Sequence, residues 1–439
     1  MNDDQPSLAG QMLAAAQAVS AVLGGRSLSD SLERSPAHDR AAAQALSFHA
    51  MRHLGMARAI EARLVARPPA DALARALLLL ALSLLDSTLR DAADRDTHAP
   101  SYPAHTLVDQ AVTAASRNKR CQPFKGLINA VLRRYGREHM VLRPQLEQAP
   151  EACWNHPVWW VDALRHAWPA HWEALLRAAN QPGPMVLRAN ARRTTPQALQ
   201  EQLQAAGHES RRVGEDGLQL LVPRPVQTLP GYAEGLWSVQ DLSAQRAARL
   251  LPLADGMRVL DACAAPGGKT AHLLERHALQ LTAIDQDATR LARVADNLGR
   301  LGLAGPNVRL CPGDAADPSD WWDGTLFDAV LADVPCTASG IVRRHPDIRW
   351  LRRPDDLTRT ARSQARIIDA LWPLLRPGGH LLYVTCSIFP PEGEDQIQAF
   401  LDRHAEARRL PAPGQILPLP DDEGQTGDGF FYALIAKHV

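Results

Sequence analysis

Cysteine is scarce in this chain, and the few cysteines present follow no pairing or metal-binding pattern. Six occur among 439 residues. None lies in a Cys-x-x-Cys pair or in a Cys/His spacing typical of structural zinc. So few cysteines also argue against a disulfide scaffold and favour a reducing compartment. We therefore expect a cytoplasmic protein without a metal site.

Net charge and long apolar runs are also missing. The chain has 48 Lys and Arg against 48 Asp and Glu, so whole-chain electrostatics do not indicate a nucleic-acid partner. The first ten residues are polar and acidic, unlike a secretory signal peptide. The most apolar stretch, residues 76–82, is seven residues long, whereas a membrane span needs about 20. We expect a buried helix there and no membrane partner.

The pattern of apolar residues divides the chain into three regions. Residues 7–140 carry apolar residues at three- and four-residue spacing, which predicts an all-α helical bundle. Residues 141–235 mix helical patterns with short strand candidates at 185–188 and 218–222, which predicts a small α+β module. Residues 236–439 alternate strands and helices, which predicts a doubly wound, Rossmann-like α/β domain.

Five apolar segments of the last region predict its strands, at residues 258–260, 281–284, 308–311, 329–332 and 380–384. The first is followed by a loop of small residues that reads Cys263-Ala264-Ala265-Pro266-Gly267-Gly268-Lys269. This loop matches neither GxGxxG nor the P-loop. Small residues nevertheless let backbone N–H groups approach a ligand at the carboxyl edge of the sheet. A tight turn without a ligand is the alternative.

Two acids at neighbouring strand ends favour the ligand. Asp285 ends the second strand, where a carboxylate can bind both hydroxyls of a ribose. Asp314 follows the third strand, within reach of an adenine amino group. Either acid alone is more often a helix cap or a surface residue. Suitable groups at three strand ends together predict an adenosine-bearing cofactor.

The fourth and fifth strands each lead into a cysteine, in Asp333-Val334-Pro335-Cys336 and in Thr385-Cys386-Ser387. One such cysteine is more often a buried small hydrophobe, but two at one edge indicate chemistry. A thiolate that adds to C6 of cytosine makes C5 nucleophilic towards the methyl group of S-adenosylmethionine. A second group must then help to remove the C5 proton and expel the thiol, and Asp333 could hold the N3/N4 edge of the base. The residues alone leave open which thiol attacks.

These motifs resemble those of the RNA cytosine-C5 methyltransferases of the Nop2/NSUN/RsmB family. Segments 264–270, 333–336 and 385–387 resemble family motifs I, IV and VI, and further likeness lies at 240–245, 343–347 and 429–433. The resemblance covers about residues 236–439 and implies a class I methyltransferase fold that binds S-adenosylmethionine.

The resemblance also implies a role for each matching residue. Cys386 would be the nucleophile, and Cys336 the thiol that assists release of the product. Residues 263–269, with Asp285, Asp314 and Asp333, would line the cofactor site. Gly393 stands where the family often has asparagine, which puts a supporting role of that loop in doubt.

Residues 7–140 resemble the antitermination factor NusB, most clearly at 126–134. A NusB-like domain before the catalytic domain resembles the order in bacterial 16S ribosomal RNA cytosine-C5 methyltransferases, with the middle module as an RNA-binding linker. This implies 16S ribosomal RNA as partner, naked or in an early assembly intermediate, no DNA, and a monomer as the default. A transfer RNA methyltransferase is one alternative. A non-catalytic RNA-binding or assembly factor is another, against which the retained cysteines and cofactor acids argue.

Two basic clusters are candidate phosphate contacts. Residues 101–140 contain seven Lys and Arg against two acids, which is either a solvated face or an RNA-binding surface. The second cluster follows Cys336 and comprises Arg343, Arg344, Arg349, Arg352 and Arg353. Its position favours substrate contact. Since the target base must leave its stack, we expect an unpaired nucleotide.

Overall fold

The computed structural model describes residues 7–90 and 100–438. Its contacts group the chain into two compact units. The first comprises Met1–Pro182 with Val342–Pro354, and the second comprises Gly183–Ile341 with Asp355–Val439. The boundary at residue 182 differs from the predicted boundaries at 140 and 235. The tryptophan-rich helices group with the first unit and the small sheet groups with the second, so the division into three domains stays a prediction.

The α-helices of the described residues follow one another in chain order. They are α1 (Leu8–Leu23), α2 (Leu28–Glu33), α3 (Arg40–Arg52), α4 (Leu54–Leu64), α5 (Ala72–Leu89), α6 (Ala104–Arg117), α7 (Lys125–Leu146), α8 (Pro150–Trp154), α9 (Val158–Ala167), α10 (Trp172–Ala179), α11 (Pro196–Ala205), α12 (Leu242–Gln245), α13 (Ala247–Leu250), α14 (Gly268–Arg276), α15 (Ala288–Leu301), α16 (Ile348–Leu351), α17 (Pro354–Leu371) and α18 (Glu394–Arg403).

The strands of the described ranges all lie in the second unit. They are β1 (Val186–Ala189), β2 (Ser210–Val213), β3 (Gly217–Leu220), β4 (Trp237–Val239), β5 (Arg258–Ala262), β6 (Gln280–Asp285), β7 (Val308–Pro312), β8 (Phe327–Asp333), β9 (Leu375–Thr385), β10 (Ala407–Ile416) and β11 (Phe430–Lys437).

Helix α5 is the core of the first unit. Asp71 caps it by accepting hydrogen bonds from the backbone N–H groups of Leu73 and Ala74, at 2.9 and 3.1 Å. Its leucines are buried except Leu89 at the end, as their spacing predicts. Among the described residues it is the one helix whose length and mean hydropathy of 1.7 would suit a membrane span, yet 72% of it is buried in the protein. A core helix passes the same test, so the predicted buried helix is confirmed.

The segment Val342–Pro354 interrupts the second unit in sequence but packs within the first. Asp347 accepts a hydrogen bond from the backbone N–H of Leu28 at 2.9 Å. The indole N–H of Trp350 donates to the carbonyl oxygen of Met51 at 2.7 Å. Both contacts join residues about 300 positions apart in the chain. This segment is therefore a structural part of the helical unit.

Two arginines of this segment do not lie where the predicted substrate contact would need them. Arg349 is fully buried and donates to the carbonyl oxygens of Ala179 and Asn155, at 2.6 and 3.3 Å, and to the side chain of Asn180. The carbonyl groups at the end of a helix attract a cation. Burial lowers the pKa of Arg349 to about 9. Arg343 is buried as well. The prediction that these two arginines contact substrate is wrong, because both lie inside the helical unit.

The second unit contains two sheets. An antiparallel sheet has the order β2-β3-β1-β4, and a larger sheet has the order β10-β11-β9-β8-β5-β6-β7. In the larger sheet β5 to β9 run parallel, and β11 pairs antiparallel with both β9 and β10. The five predicted parallel strands and the Rossmann-like fold are confirmed. Strands β2, β4, β10 and β11 were not predicted.

The register brings the predicted motifs to one edge of the larger sheet. Asp333 at the end of β8 lies opposite Val384 of β9. On the other side of β8, Ala332 lies opposite Ala262 at the end of β5. The loops that carry Cys336, Cys386 and Cys263 therefore leave adjacent strands in the same direction.

Candidate active site

The loop after β5 has a tightly constrained backbone. Cys263 adopts a left-handed conformation with φ 63°, which costs a non-glycine residue strain and is often found at functional sites. Gly267 has φ 92°, and a Cβ there would lie 2.9 Å from Cγ1 of Val294. Only glycine fits that turn, and α14 begins at the next residue. The hydroxyl of Thr270 donates to Asp261 at 2.6 Å beneath the loop. Burial raises the pKa of this aspartate to about 7.

A cavity of about 540 Å³ lies over this edge, within the usual size of small-molecule sites. Eight predicted residues line it: Cys263, Ala265, Pro266, Asp285, Asp314, Asp333, Cys336 and Cys386. The other predicted residues, Ala264, Gly267, Gly268 and Lys269, do not line it. Lining residues that the sequence did not indicate include Arg290, Ser363 and Arg366. In the described part of the chain no group of three or more His, Cys, Asp or Glu side chains is arranged to hold a metal ion.

The carboxylates of the cavity are held by backbone donors. Asp285 accepts from the N–H groups of Ala265 at 3.2 Å and Asp287 at 3.0 Å. Arg290 lies 3.6 Å from Asp285 and donates to the carbonyl oxygen of Ala265 at 3.0 Å, which ties the acid to the β5 loop. One oxygen of Asp314 accepts from a backbone N–H at 2.8 Å, and the other has no described protein partner. These fixed acceptors fit the hydroxyl and amino groups of an adenosine.

A lysine pairs with one of the acids that line the cavity. Nζ of Lys269 donates to Oδ2 of Asp333 at 2.6 Å and lies 5.2 Å from the centre of the Phe430 ring. Burial disfavours the charged amine, but the neighbouring Asp333 outweighs it, and the pKa of Lys269 is raised. Cys386 contributes to this rise electrostatically. The lysine is therefore a permanent positive charge beside the thiol loop.

The two thiols meet. The sulfurs of Cys336 and Cys386 are 3.4 Å apart, and the backbone N–H of Ala338 lies 3.4 Å from the sulfur of Cys336. Ala338 has φ 58°, so the loop is strained where it presents this donor. The hydrogen bond with Cys386, then burial and the charges of Cys386 and Glu392, raise the pKa of Cys336 well above its usual range. Like charges this close cannot both form, so Cys336 keeps its proton.

Glu392 holds both thiol loops and was missed by the sequence interpretation. It is fully buried. Its carboxylate accepts hydrogen bonds from the N–H of Thr337 at 2.7 Å and from the hydroxyls of Thr360 and Ser387 at 2.6 Å each. The hydroxyl of Thr337 donates to it as well. One carboxylate therefore joins the residue after Cys336, the residue after Cys386, and α17.

The glycine that departs from the family pattern is explained by packing. A Cβ on Gly393 would lie 2.9 Å from the ring of Phe431. A larger residue would push the loop off β11. The carboxylate of the neighbouring Glu392 supports this loop instead.

Glu392→Gln tests this support. The new amide nitrogen would face hydroxyl and N–H donors, so we expect a loss of about 1–3 kcal/mol in the free energy of unfolding. Catalysis at this site should fall on the order of tenfold or more because both thiol loops shift. Urea unfolding and single-turnover rates measure the two effects. The matched control is Glu394→Gln, since Glu394 is half-exposed and pairs with Arg409. A Glu392→Gln enzyme as stable and active as this control would contradict the role of the carboxylate.

Two family models match the chain. Residues 248–436 match the model described as 16S rRNA methyltransferase RsmB/F. Residues 156–227 match the ferredoxin-like domain of RsmF/B-like methyltransferases. The second match spans most of the predicted α+β module.

Curated bacterial relatives match over most of their length. The chain is 42% identical to the ribosomal RNA small subunit methyltransferase B of Pseudomonas syringae pv. tomato, over 97% of this chain and 96% of that protein. It is 45% identical to the protein of the same name from Vibrio cholerae, over 76% of this chain and 77% of the relative.

Solved structures share the fold. The crystal structure of PH0851 has a TM-score of 0.79 at 24% identity, covering 99% of this chain and 100% of that one. NSun6 from Pyrococcus horikoshii, solved with SFG, has a TM-score of 0.56 at 21% identity, covering 64% of this chain and 98% of that one.

The matches bear out the predicted family and its cofactor, S-adenosylmethionine. They do not test the NusB likeness of residues 7–140, which stays a prediction. Curated bacterial proteins match the chain over 97% of its length at 42% identity. Together with the matching family model, the Rossmann-like core and its cavity, this leads to one conclusion. The chain belongs to the RsmB/F family of S-adenosylmethionine-dependent 16S rRNA methyltransferases.

Proposed function

We propose that this protein transfers a methyl group from S-adenosylmethionine to C5 of a cytosine in 16S ribosomal RNA through a covalent bond between Cys386 and C6. The observation that carries the proposal is the pair of thiols, 3.4 Å apart, on the wall of a cavity that also holds Asp285, Asp314 and Asp333. The names of the bacterial relatives support the ribosomal substrate.

The cofactor would be held by the acids of the cavity. Asp285 would take the ribose hydroxyls, and the unpartnered oxygen of Asp314 would take the adenine amino group. The β5 loop, residues 263–269, would approach with its backbone. Bound there, S-adenosylmethionine supplies a methyl group on a positively charged sulfur.

The electrostatics of the site support Cys386 as the nucleophile. Because the raised pKa of Cys336 makes it the poorer nucleophile of the pair, Cys386 is left as the thiol that attacks. Lys269 stands close enough to Cys386 to stabilise a thiolate that forms there during attack. The thiolate forms a bond to C6, and the electron pair of the C5–C6 double bond moves towards C5, which becomes nucleophilic. Asp333, whose second oxygen is not engaged by Lys269, would bind the N3/N4 edge of the cytosine.

Product release would use the second thiol. Once Cys386 is bonded to carbon it carries no charge, and the main cause that keeps the proton on Cys336 is removed. Cys336 can then lose its proton to solvent and accept the C5 proton of the methylated base. The electrons of the C5–H bond restore the double bond, and Cys386 leaves as a thiolate.

The surface of the first unit supports RNA binding. The seven basic side chains predicted there are all exposed: Arg117, Lys119, Arg120, Lys125, Arg133, Arg134 and Arg137. They lie on or between α6 and α7 and can contact phosphates of the substrate. We also propose a cytoplasmic location, which the six free cysteines support, and a monomer that acts on naked RNA or an early assembly intermediate.

Bisulfite mapping tests the substrate and the atom methylated. We expect one cytosine of 16S ribosomal RNA to lose protection from conversion in a deletion strain and to regain it when the wild-type gene is restored. Transfer RNA and 23S ribosomal RNA from the same cells are the controls. Loss of a mark in transfer RNA alone would overturn the substrate. If the protein transfers a labelled methyl group to 16S RNA and bisulfite still converts every cytosine, the C5 assignment is wrong.

A further inference from the structure

Helix α17 carries a row of arginines beside the candidate active site. Its inner face is apolar, since Ile367, Ile368 and Leu371 are buried. Its outer face presents Arg359, Arg362 and Arg366, all exposed. Spacings of three and four residues bring their side chains to one side of the helix.

The arginines line a surface groove. A hollow of about 780 Å³ is bordered by Asp355, Thr358, Arg359, Arg362, Ser363 and Arg366. Ser363 and Arg366 also line the cavity that holds Cys336 and Cys386. The groove and the cavity therefore share a wall, and a chain lying in one can send a group into the other.

Two of the three arginines in the groove are not neutralised by the protein. Arg359 pairs with Asp356 on the same helix. In the described ranges, 7–90 and 100–438, Arg362 and Arg366 form neither an ion pair nor a hydrogen bond with another residue. Asp355 is the acid that borders the groove. Two free guanidinium groups suit bidentate contact with phosphate oxygens, and the hydroxyl of Ser363 adds a donor.

The inner face of α17 fixes these arginines relative to the thiols. Nε2 of Gln364 donates to the carbonyl oxygen of Pro335, the residue before Cys336, at 2.9 Å. One helical turn earlier, Thr360 donates to Glu392 at 2.6 Å. The helix is thus attached to both thiol loops, so a phosphate held on its outer face would have a defined offset from the reacting base.

We propose that Arg362 and Arg366, with Ser363, bind the backbone phosphates of the single-stranded RNA that flanks the target cytosine. The assignment rests on the proposed function, since it supplies the strand from which the base enters the cavity. Phosphate contacts carry no sequence information but set the register of the strand. The arginines would therefore act on affinity for the RNA and not on the choice of base.

The test compares the double variant Arg362→Gln/Arg366→Gln with Arg408→Gln. Arg408 is exposed on β10 and lines neither hollow. Fluorescence anisotropy on a 16S fragment is measured over a salt series. We expect the slope of log Kd against log salt to fall by about 0.7 for each arginine lost. The KM for RNA should rise on the order of tenfold, whereas the KM for S-adenosylmethionine should not follow. The variant Arg362→Lys/Arg366→Lys should restore the slope.

Two results would overturn the assignment. One is a salt slope in the double variant equal to that of Arg408→Gln. The other is a rise in the KM for S-adenosylmethionine with unchanged RNA affinity, which would make Arg366 a cofactor ligand. Binding is measured without methyl transfer. A wild-type protein that methylates no cytosine at C5 would therefore contradict the proposed function, while the salt slopes still decide the role of the arginines.

Discussion

Replacing Cys386 with alanine is expected to abolish methylation of the target cytosine. The variant lacks the sulfur that bonds to C6, and the neighbouring Cys336 cannot replace it because its pKa is raised and its sulfur lies 3.4 Å away on another loop. Loss of a covalent nucleophile lowers rates by more than about 10³-fold. Transfer of a labelled methyl group to 16S RNA under single-turnover conditions measures the effect.

The matched control for this loss is Cys311→Ala. Cys311 lies on β7, is partly buried as Cys386 is, and does not line the cavity. It should retain activity close to wild type. The Cys386→Ala enzyme should still bind S-adenosylmethionine, because the acids that would hold the cofactor are unchanged. If Cys386→Ala turned over at more than about a tenth of the control rate, Cys386 would not be the covalent nucleophile.

Replacing Cys336 with alanine is expected to trap the enzyme on its RNA. Attack by Cys386 needs no second thiol, so the bond to C6 still forms and the methyl group is still transferred. Removal of the C5 proton then lacks its acceptor, and the adduct accumulates. A protein–RNA complex that survives denaturing electrophoresis would reveal it, at close to one RNA per protein under single-turnover conditions.

The double variant Cys336→Ala/Cys386→Ala provides the control, since it cannot form the bond and should leave no stable complex. The order of the two thiols is tested at the same time. If Cys386→Ala gave a denaturant-stable RNA complex and Cys336→Ala gave none, Cys336 would be the nucleophile and Cys386 the thiol that assists release. Normal turnover by Cys336→Ala without any trapped RNA would refute a mechanism that uses two thiols.

Much of the catalytic fold follows from the sequence because its central strands are buried on both faces. Such strands read as short apolar runs between helical patterns, as in β5, β6, β8 and β9; the fifth predicted run lies in β7, a partly exposed edge strand. Strand β10 lacks this signal, since Pro411, Pro413 and Gly414 interrupt it at the edge of the sheet. Strand β4 is only three residues long. A strand at the edge of a sheet, or one of only three residues, buries too few side chains to show the apolar pattern that predicts a strand.

The site residues at the ends of strands could be predicted from the sequence. The residues whose partners are distant in sequence could not. Cys336 and Cys386 meet because β8 and β9 are neighbours, which the strand order of this fold class implies. The partners of Glu392 lie 55 and 32 positions away, at Thr337 and Thr360. The acceptors of Arg349 lie about 170 to 194 positions away. No local pattern records such contacts, so a buried carboxylate and a buried guanidinium both read as surface charge.

Segment Val342–Pro354 packs with the first unit although it lies within the sequence of the second. This affects the order in which parts of the protein can fold during synthesis. Residues 7–182 leave the ribosome first, and domains generally fold as they emerge. Residues 7–182 can therefore fold before segment 342–354 is synthesised, and they then offer the contacts that Asp347, Arg349 and Trp350 make. The segment begins six residues after Cys336. Completion of the thiol loop thus follows folding of residues 7–182, so a nascent chain acquires its reactive cysteine pair only late in synthesis.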